Sequence, residues 1–187
     1  PEFFKIVNKK AESYPNIAPY LGGPEQAQDF IEPSSVDTVY VFFGALNTTA
    51  DLERAVAGMA SVLKPGGRVV ATFVNKWYVF DILWNILTLR PKKAVARLKK
   101  VWGGYSPTRF LASRCYSSRQ VHAAFSKHLV RKRRLGFCIT HPAWYRHHWA
   151  PEGSLRSRWL YAFDGLLQWT PAWNAGEYSL YLYEKPL

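Results

Sequence analysis

Two β-forming segments joined by one capped helix and a Pro-Gly-Gly turn constrain the fold of this chain more than any other feature. The run Val36-Asp37-Thr38-Val39-Tyr40-Val41-Phe42-Phe43 is β-branched and aromatic with almost no charge, which predicts a strand buried on both faces, as in parallel sheets. Gly44 breaks it. Thr48 or Thr49 is placed to cap the next helix, Asp51 and Glu53 favour its first turn, and Leu52, Val56, Met59, Ala60 and Leu63 make one apolar stripe. Pro65-Gly66-Gly67 stops that helix, and Arg68 to Val74 reads as a second buried strand. A helix between two such strands is a parallel βαβ crossover, so the predicted fold class is α/β.

Around this unit the pattern continues. Glu2 to Tyr14 has helical spacing and ends before Pro15-Asn16; Ile17 to Leu21 is a short extended run; Gly22-Gly23-Pro24 signals a turn, with a helical turn from Glu25 to Phe30. Trp77 to Lys100 is predicted to be helical, apolar first and basic afterwards, with Pro91 opening the second piece. Ser117 or Ser118 caps a helix through His128, Leu129 to Thr140 reads as a strand, Ser154 to Trp169 as an amphipathic helix, and Glu177 to Glu184 as a final alternating strand.

Charge divides the chain of 187 residues in two. The net charge is +12, yet residues 1–81 carry a net −2 and the remainder +14, and all eight tryptophans lie from Trp77 onward. Cys115 and Cys138 are too few for a disulfide framework and predict reduced thiols of a cytoplasmic protein. The longest apolar stretch, Val79 to Leu89, contains Asp81 and Asn85 and falls short of the roughly 20 apolar residues that span a bilayer.

The stretch VDTVYVFFGALNTTADLERAVAGMASVLKPGGRVVATFVN resembles the class I S-adenosylmethionine-dependent methyltransferases. Upstream, the first helix through Gly22-Gly23-Pro24-Glu25 is similar to the family's second helix, third strand and adenine-facing turn. Downstream, Cys115-Tyr116-Ser117 with its helix, Gly136-Phe137 and GEYSLYLYEK resemble its last helix and the antiparallel hairpin at the sheet edge. The resemblance implies a Rossmann-like methyltransferase sheet with a helical lid insertion, lacking the first strands of the usual fold. It divides the chain into a partial cofactor-binding core (1–76), a lid or substrate insertion (77–113) and the C-terminal part of the same core (114–187).

By the same resemblance the cofactor is S-adenosyl-L-methionine, with Gly22, Gly23, Pro24 and Glu25 facing the adenine and Phe43, Gly44, Ala45 and Asn47 facing the methionine end. The Lys64-Pro65-Gly66-Gly67 turn has a structural role at the opposite end of the sheet. The family's glycine-rich loop and the acidic residue ending its second strand have no counterpart here. Gly23-Pro24 stands where the family shows Asp and a residue with a free N–H, and proline cannot donate. An N-terminally incomplete chain that binds cofactor poorly and is inactive as given is therefore expected.

Candidate substrate residues are Trp77, Tyr105, His141 and Tyr145; no catalytic base is assigned. His147 and His148 are adjacent and lack a nearby carboxylate, so no metal site is expected. The apolar and basic halves of Trp77 to Lys100 allow a peripheral membrane contact or a lid with a solvated basic face. Arg131 to Arg134 allow RNA binding or charge protection of an edge strand, and nucleic acid is the less favoured partner. The function expected is methyl transfer to a small-molecule or lipid-like acceptor; a noncatalytic methyltransferase-like binding module and an RNA methyltransferase are the alternatives.

Overall fold

The computed structural model describes residues 2–102 and 112–187. In chain order the helices are α1 (Glu2–Ala11), α2 (Leu52–Val62), α3 (Val79–Leu87), α4 (Pro91–Ala94), α5 (Ser118–Phe125) and α6 (Leu155–Leu167). The strands are β1 (Val36–Val41), β2 (Leu63–Val74), β3 (Val130–Phe137) and β4 (Tyr178–Glu184). Short 3-10 segments at Pro24–Asp29, Ala45–Thr48, Ala96–Leu98, Trp144–Trp149 and Pro171–Ala175 complete the description. The sheet has the order β1-β2-β4-β3. β1 and β2 are parallel neighbours, and β4 runs antiparallel to both β2 and β3.

The βαβ unit forms as the sequence predicts, with two changes of detail. Asp51, not Thr48 or Thr49, caps α2: its carboxylate accepts from the N–H groups of Glu53 and Arg54 at 3.0 and 3.1 Å. Its position directly before the helix lets it reach both orphan donors. At the other end α2 passes directly into β2, and the register jumps from Val36 opposite Leu63 to Thr38 opposite Arg68, so the Lys64–Gly67 turn loops out of the ladder. Gly66 takes φ 76° there, a conformation open to glycine at no steric cost. Lys185 Nζ donates to the carbonyls of Ala60 and Leu63, binding the C-terminal end of α2 to the chain terminus.

One face of the sheet is the core. Val69, Ala71, Phe73, Tyr181 and Tyr183 are sealed beneath Val56 and Met59 of α2 and Val121 and Phe125 of α5. Rings dominate the packing: Phe125 stacks on Tyr183 at 4.4 Å, and Phe73 meets Tyr116, Phe125 and Tyr181 edge-on at about 6 Å. The expectation that Val36 to Phe43 is buried on both faces is corrected. Tyr40 is 64% exposed and Phe42 is exposed too, because β1 is an edge strand with its second face uncovered among the described residues.

Other boundaries also move. Ile17 to Leu21 forms no strand; Tyr20 and Leu21 are exposed, and the segment only leads to the 3-10 turn at Pro24. The predicted helix from Trp77 to Lys100 is broken into α3, α4 and a 3-10 turn, Pro91 opening the second piece as expected. The predicted strand at Leu129 to Thr140 is shorter, Val130–Phe137, with Lys132 as an extra residue between Arg131 and Arg133.

Candidate functional site

β1 and β2 end at the same side of the sheet, where loops in an open parallel sheet gather around ligands. Phe43 and Gly44 follow β1 with φ of 56° and 71°. A Cβ on Gly44 would lie 2.8 Å from Val74 Cγ2 and 3.0 Å from Asn47 Oδ1, so glycine lets the loop close down on the end of β2. Phe43 is thrown outward, 87% exposed. Asn47 fixes the loop from below: Oδ1 accepts from Val74 N at 3.0 Å, and Nδ2 donates to the carbonyls of Arg114 and Val74 at 2.6 and 3.3 Å. Leu46 beside it is buried.

The turn at Gly22 to Glu25 meets the same region. The Pro24 carbonyl lies where a Cβ on Gly58 would come within 2.2 Å, so the 3-10 turn sits directly on the middle of α2. The Glu25 carboxylate accepts a hydrogen bond from Thr49 Oγ1, joining this turn to the loop between β1 and α2. The Gly23 N–H already donates to Gln26 Oε1 at 3.3 Å.

Beside Phe43 a cavity of about 380 Å3 is lined by Phe42, Phe43, Thr72, Phe137, Trp144 and Tyr178. Thr72 Oγ1 is buried and has no hydrogen-bond partner among the described residues. A predominantly aromatic lining suits an apolar ligand. Tyr145 borders it: its ring meets Trp144 edge-on at 5.6 Å, and its hydroxyl donates to Glu177 Oε2 at 3.3 Å. Burial, reinforced by the Glu177 carboxylate, pushes the Tyr145 phenol above its ordinary pKa.

Behind the cavity lies a polar network that the sequence does not announce. Glu177 is fully buried and receives Arg97 Nη2 at 2.8 and 3.0 Å; Arg97 also donates to the Asn75 carbonyl at 3.4 Å. The Arg97 guanidinium lies 5.0 Å from the ring centres of Tyr78 and Trp102. Arg146 pairs with Asp81 at 3.0 Å amid the rings of Phe80, Trp84, Tyr145 and Trp149. Tyr78 is wholly buried, and desolvation, with Tyr145 and Glu177 adding to it, raises its phenol pKa. These contacts tie α3 and the 3-10 turn at Ala96–Leu98 to the ends of β2 and β4.

The remaining predicted residues are dispersed. His141 lies apart, Nε2 at 3.0 Å from Ser157 Oγ on α6 and Nδ1 at 3.0 Å from the Pro142 carbonyl. It lines a different cavity, of about 330 Å3, with Cys138, Tyr161 and Gln168. Trp77 stands exposed beyond the end of β2, and Tyr105 lies outside the described residues. Arg97 and Glu177 escaped the sequence reading; only the charge of Glu177 at the start of an otherwise apolar, aromatic strand could have marked it.

A parallel pair followed at one edge by an antiparallel strand inserted out of sequence order, with a helical insertion after the second strand, is the fold of the class I S-adenosylmethionine-dependent methyltransferases. The geranyl diphosphate C-methyltransferase of Streptomyces coelicolor A3(2) matches with a TM-score of 0.54 and 13% identity, over 95% of this chain and 57% of its own. The complex of the Haloferax volcanii Trm112 methyltransferase activator with a methyltransferase matches at TM-score 0.50 and 15% identity, over 96% of this chain and 67% of the other. The [4+2]-cyclase SpnF matches at TM-score 0.54 and 16% identity, over 98% and 62%. No protein-family model matches the chain, and no curated protein matches it. The chain thus spans 57–67% of the length of these neighbours, and the likeness is one of fold.

Proposed function

We propose that this chain is part of an S-adenosylmethionine-dependent methyltransferase acting on a small-molecule or lipid-like acceptor. The observation that carries the reading is the aromatic cavity at the carboxyl ends of the parallel strands, walled by the exposed Phe43 and adjoining the Gly44 loop. When bound, the cofactor supplies an electrophilic methyl group on a sulfonium. In this reading Gly22, Gly23, Pro24 and Glu25 face the adenine, and Phe43, Gly44 and Ala45 the methionine end. The aromatic lining holds the acceptor and excludes water, so that in-line placement supplies much of the rate. Tyr145, its phenol kept protonated, orients the acceptor from the cavity rim and does not serve as the base.

Affinity for the cofactor is weak in this reading, for a local reason. Pro24 has no N–H, the Gly23 N–H is engaged by Gln26, and the Asn47 amide is engaged by Val74 and Arg114. On α3 and α4, Leu83, Ile86, Leu87 and Leu89 are exposed beside Arg90, Lys92 and Lys93, a surface suited to a membrane that would supply a lipid-like acceptor in this reading.

Titration of S-adenosylmethionine into the 15N-labelled chain tests the assignment even at low affinity. The amide signals of Gly22, Gly23 and Gly44 are expected to shift together and saturably. Shifts confined to Leu135–Gly136 and Gln168, or none at any concentration, overturn it. The cyclase SpnF among the fold neighbours supports a second reading, a ligand-binding module of this fold without methyl transfer. It predicts the same shifts with no transfer of label from methyl-labelled cofactor to any acceptor.

A further inference from the structure

α6 carries an apolar surface that nothing in the described structure covers. Leu155, Trp159, Phe163 and Leu166 follow one another at helical spacing and are all exposed, Trp159 at 75%. The orientation of the helix is fixed from its other side. Asp164 is buried and accepts from the N–H groups of Ile139 and Thr140 at 2.9 and 2.6 Å, and His141 reaches Ser157. The stripe is therefore held towards solvent, and a contiguous exposed apolar patch of this kind marks an interaction surface.

The stripe ends at a concentration of positive charge. Trp169, 91% exposed, and Gln168 border an open basin of about 520 Å3 whose other walls are Arg131, Lys132, Arg133, Arg134 and Leu135. Gln168 fixes the junction, accepting from Gly136 N at 2.7 Å and donating to Gly136 O at 2.8 Å. It satisfies the open edge of β3 as a neighbouring strand would. Lys132 pairs with Glu184, but no carboxylate pairs with Arg131, Arg133, Arg134, Arg156 or Arg158 among the described residues.

We infer that the α6 stripe and the β3 basin together form a docking face for an anionic bilayer surface. Charge complementarity selects this occupant. A second copy of the chain would set one basic surface against another. A single-stranded nucleic acid would use the arginines and stack on Trp169, yet leave Leu155, Trp159, Phe163 and Leu166 in water. A bilayer takes both halves: the leucines and rings enter the headgroup boundary while the arginines meet lipid phosphates. No helix among the described residues is long and apolar enough to cross a membrane, so the contact is peripheral. The inference is independent of the methyl-transfer reading and of the α3–α4 surface.

Co-sedimentation of the 187-residue chain with phosphatidylcholine vesicles, with and without phosphatidylglycerol, tests it. Binding is expected only to the anionic vesicles and is released by salt. The triple substitution Trp159→Ser, Phe163→Ser and Trp169→Ser is expected to weaken it at least about ten-fold, and Arg133→Gln and Arg158→Gln roughly five-fold each. Because these side chains are exposed, circular dichroism and the thermal midpoint should stay at parental values. A companion protein with Lys92, Lys93, Lys99 and Lys100 changed to Gln isolates α3–α4. Parental binding by the α6 variants overturns the inference, as does equal or absent binding to both vesicle types. A dimer in analytical ultracentrifugation that the triple substitution abolishes, or RNA binding that survives it without vesicle binding, also overturns it.

Discussion

Arg97 and Glu177, 80 residues apart in sequence, meet in a buried bidentate ion pair with Nη2 at 2.8 and 3.0 Å from the two carboxylate oxygens. The pair binds the 3-10 turn after α4 to the residue that precedes β4, and so fastens the helical insertion to the sheet. Asp81 lies 4.0 Å from Arg97 Nε and the Tyr145 hydroxyl reaches Glu177, so removing one partner takes the principal counter-charge from a buried ion, at a cost of up to about 3–5 kcal/mol, whereas replacing both by apolar groups is far better tolerated. Glu177→Ala and Arg97→Ala should each lower the unfolding free energy measured in urea by that order. Arg97→Met with Glu177→Leu should recover much of the loss. A double variant no better than either single would show that packing, not charge pairing, holds the insertion.

Asn47 is predicted to act as a structural clamp. Asn47→Ala would leave the buried Val74 N–H and the Arg114 carbonyl without their partner, a loss of about 1–3 kcal/mol. Hydrogen exchange at the Val74 amide should accelerate accordingly. Asn47→Asp should be worse, since a carboxylate can still accept from Val74 N–H but faces the Val74 and Arg114 carbonyls without a donor. Unchanged exchange at Val74 in both proteins would refute the clamp.

Gly58→Ala tests the seat of the turn at Pro24. Its Cβ would come within 2.2 Å of the Pro24 carbonyl, so the 3-10 turn must lift off α2 at a cost of about 1–3 kcal/mol. Limited proteolysis should then cut between α1 and the turn faster than in the parent. Gly165→Ala, where nothing lies within 4 Å of the added carbon, is the control and should leave both stability and cleavage unaltered or slightly improve stability.

The two cysteines predict alkaline sensitivity. Burial pushes both thiols from an ordinary 9.0 up to about 12, with Arg97 opposing the shift at Cys115 and Glu177 adding to it at Cys138. A raised folded pKa means that the folded state keeps the proton longer than the unfolded state. The associated stability is therefore complete below about pH 9 and is lost as pH climbs towards about 12. The phenols of Tyr78 and Tyr183, both buried, and of the half-buried Tyr145 are shifted upward too, chiefly by desolvation, and add to the same trend. Urea midpoints should fall across this window, and iodoacetamide should leave the buried Cys115 unlabelled at neutral pH until the chain unfolds. Rapid labelling of folded Cys115 would contradict its burial.

The sequence by itself determined the β1–α2–β2 unit, the final strand and the starts of α5 and α6, though not the residue that caps α2. Their signals are local: an apolar β-branched run, Ser117 and Ser154 placed before helices, and Pro-Gly-Gly where the chain must reverse. The alternation in β4 also foretold its two faces, Ser179, Tyr181 and Tyr183 being fully buried. Only the tertiary structure decided what each apolar face meets. VDTVYVFF reads as doubly buried, yet Tyr40 and Phe42 face outward, because burial depends on what packs against the strand. α6 reads as an amphipathic helix, but only the folded chain shows Asp164 turned inward and Trp159 outward. Arg97 with Glu177, and Asn47 with Val74 and Arg114, had no legible pattern, since partners brought together by folding leave no periodicity in the chain that separates them.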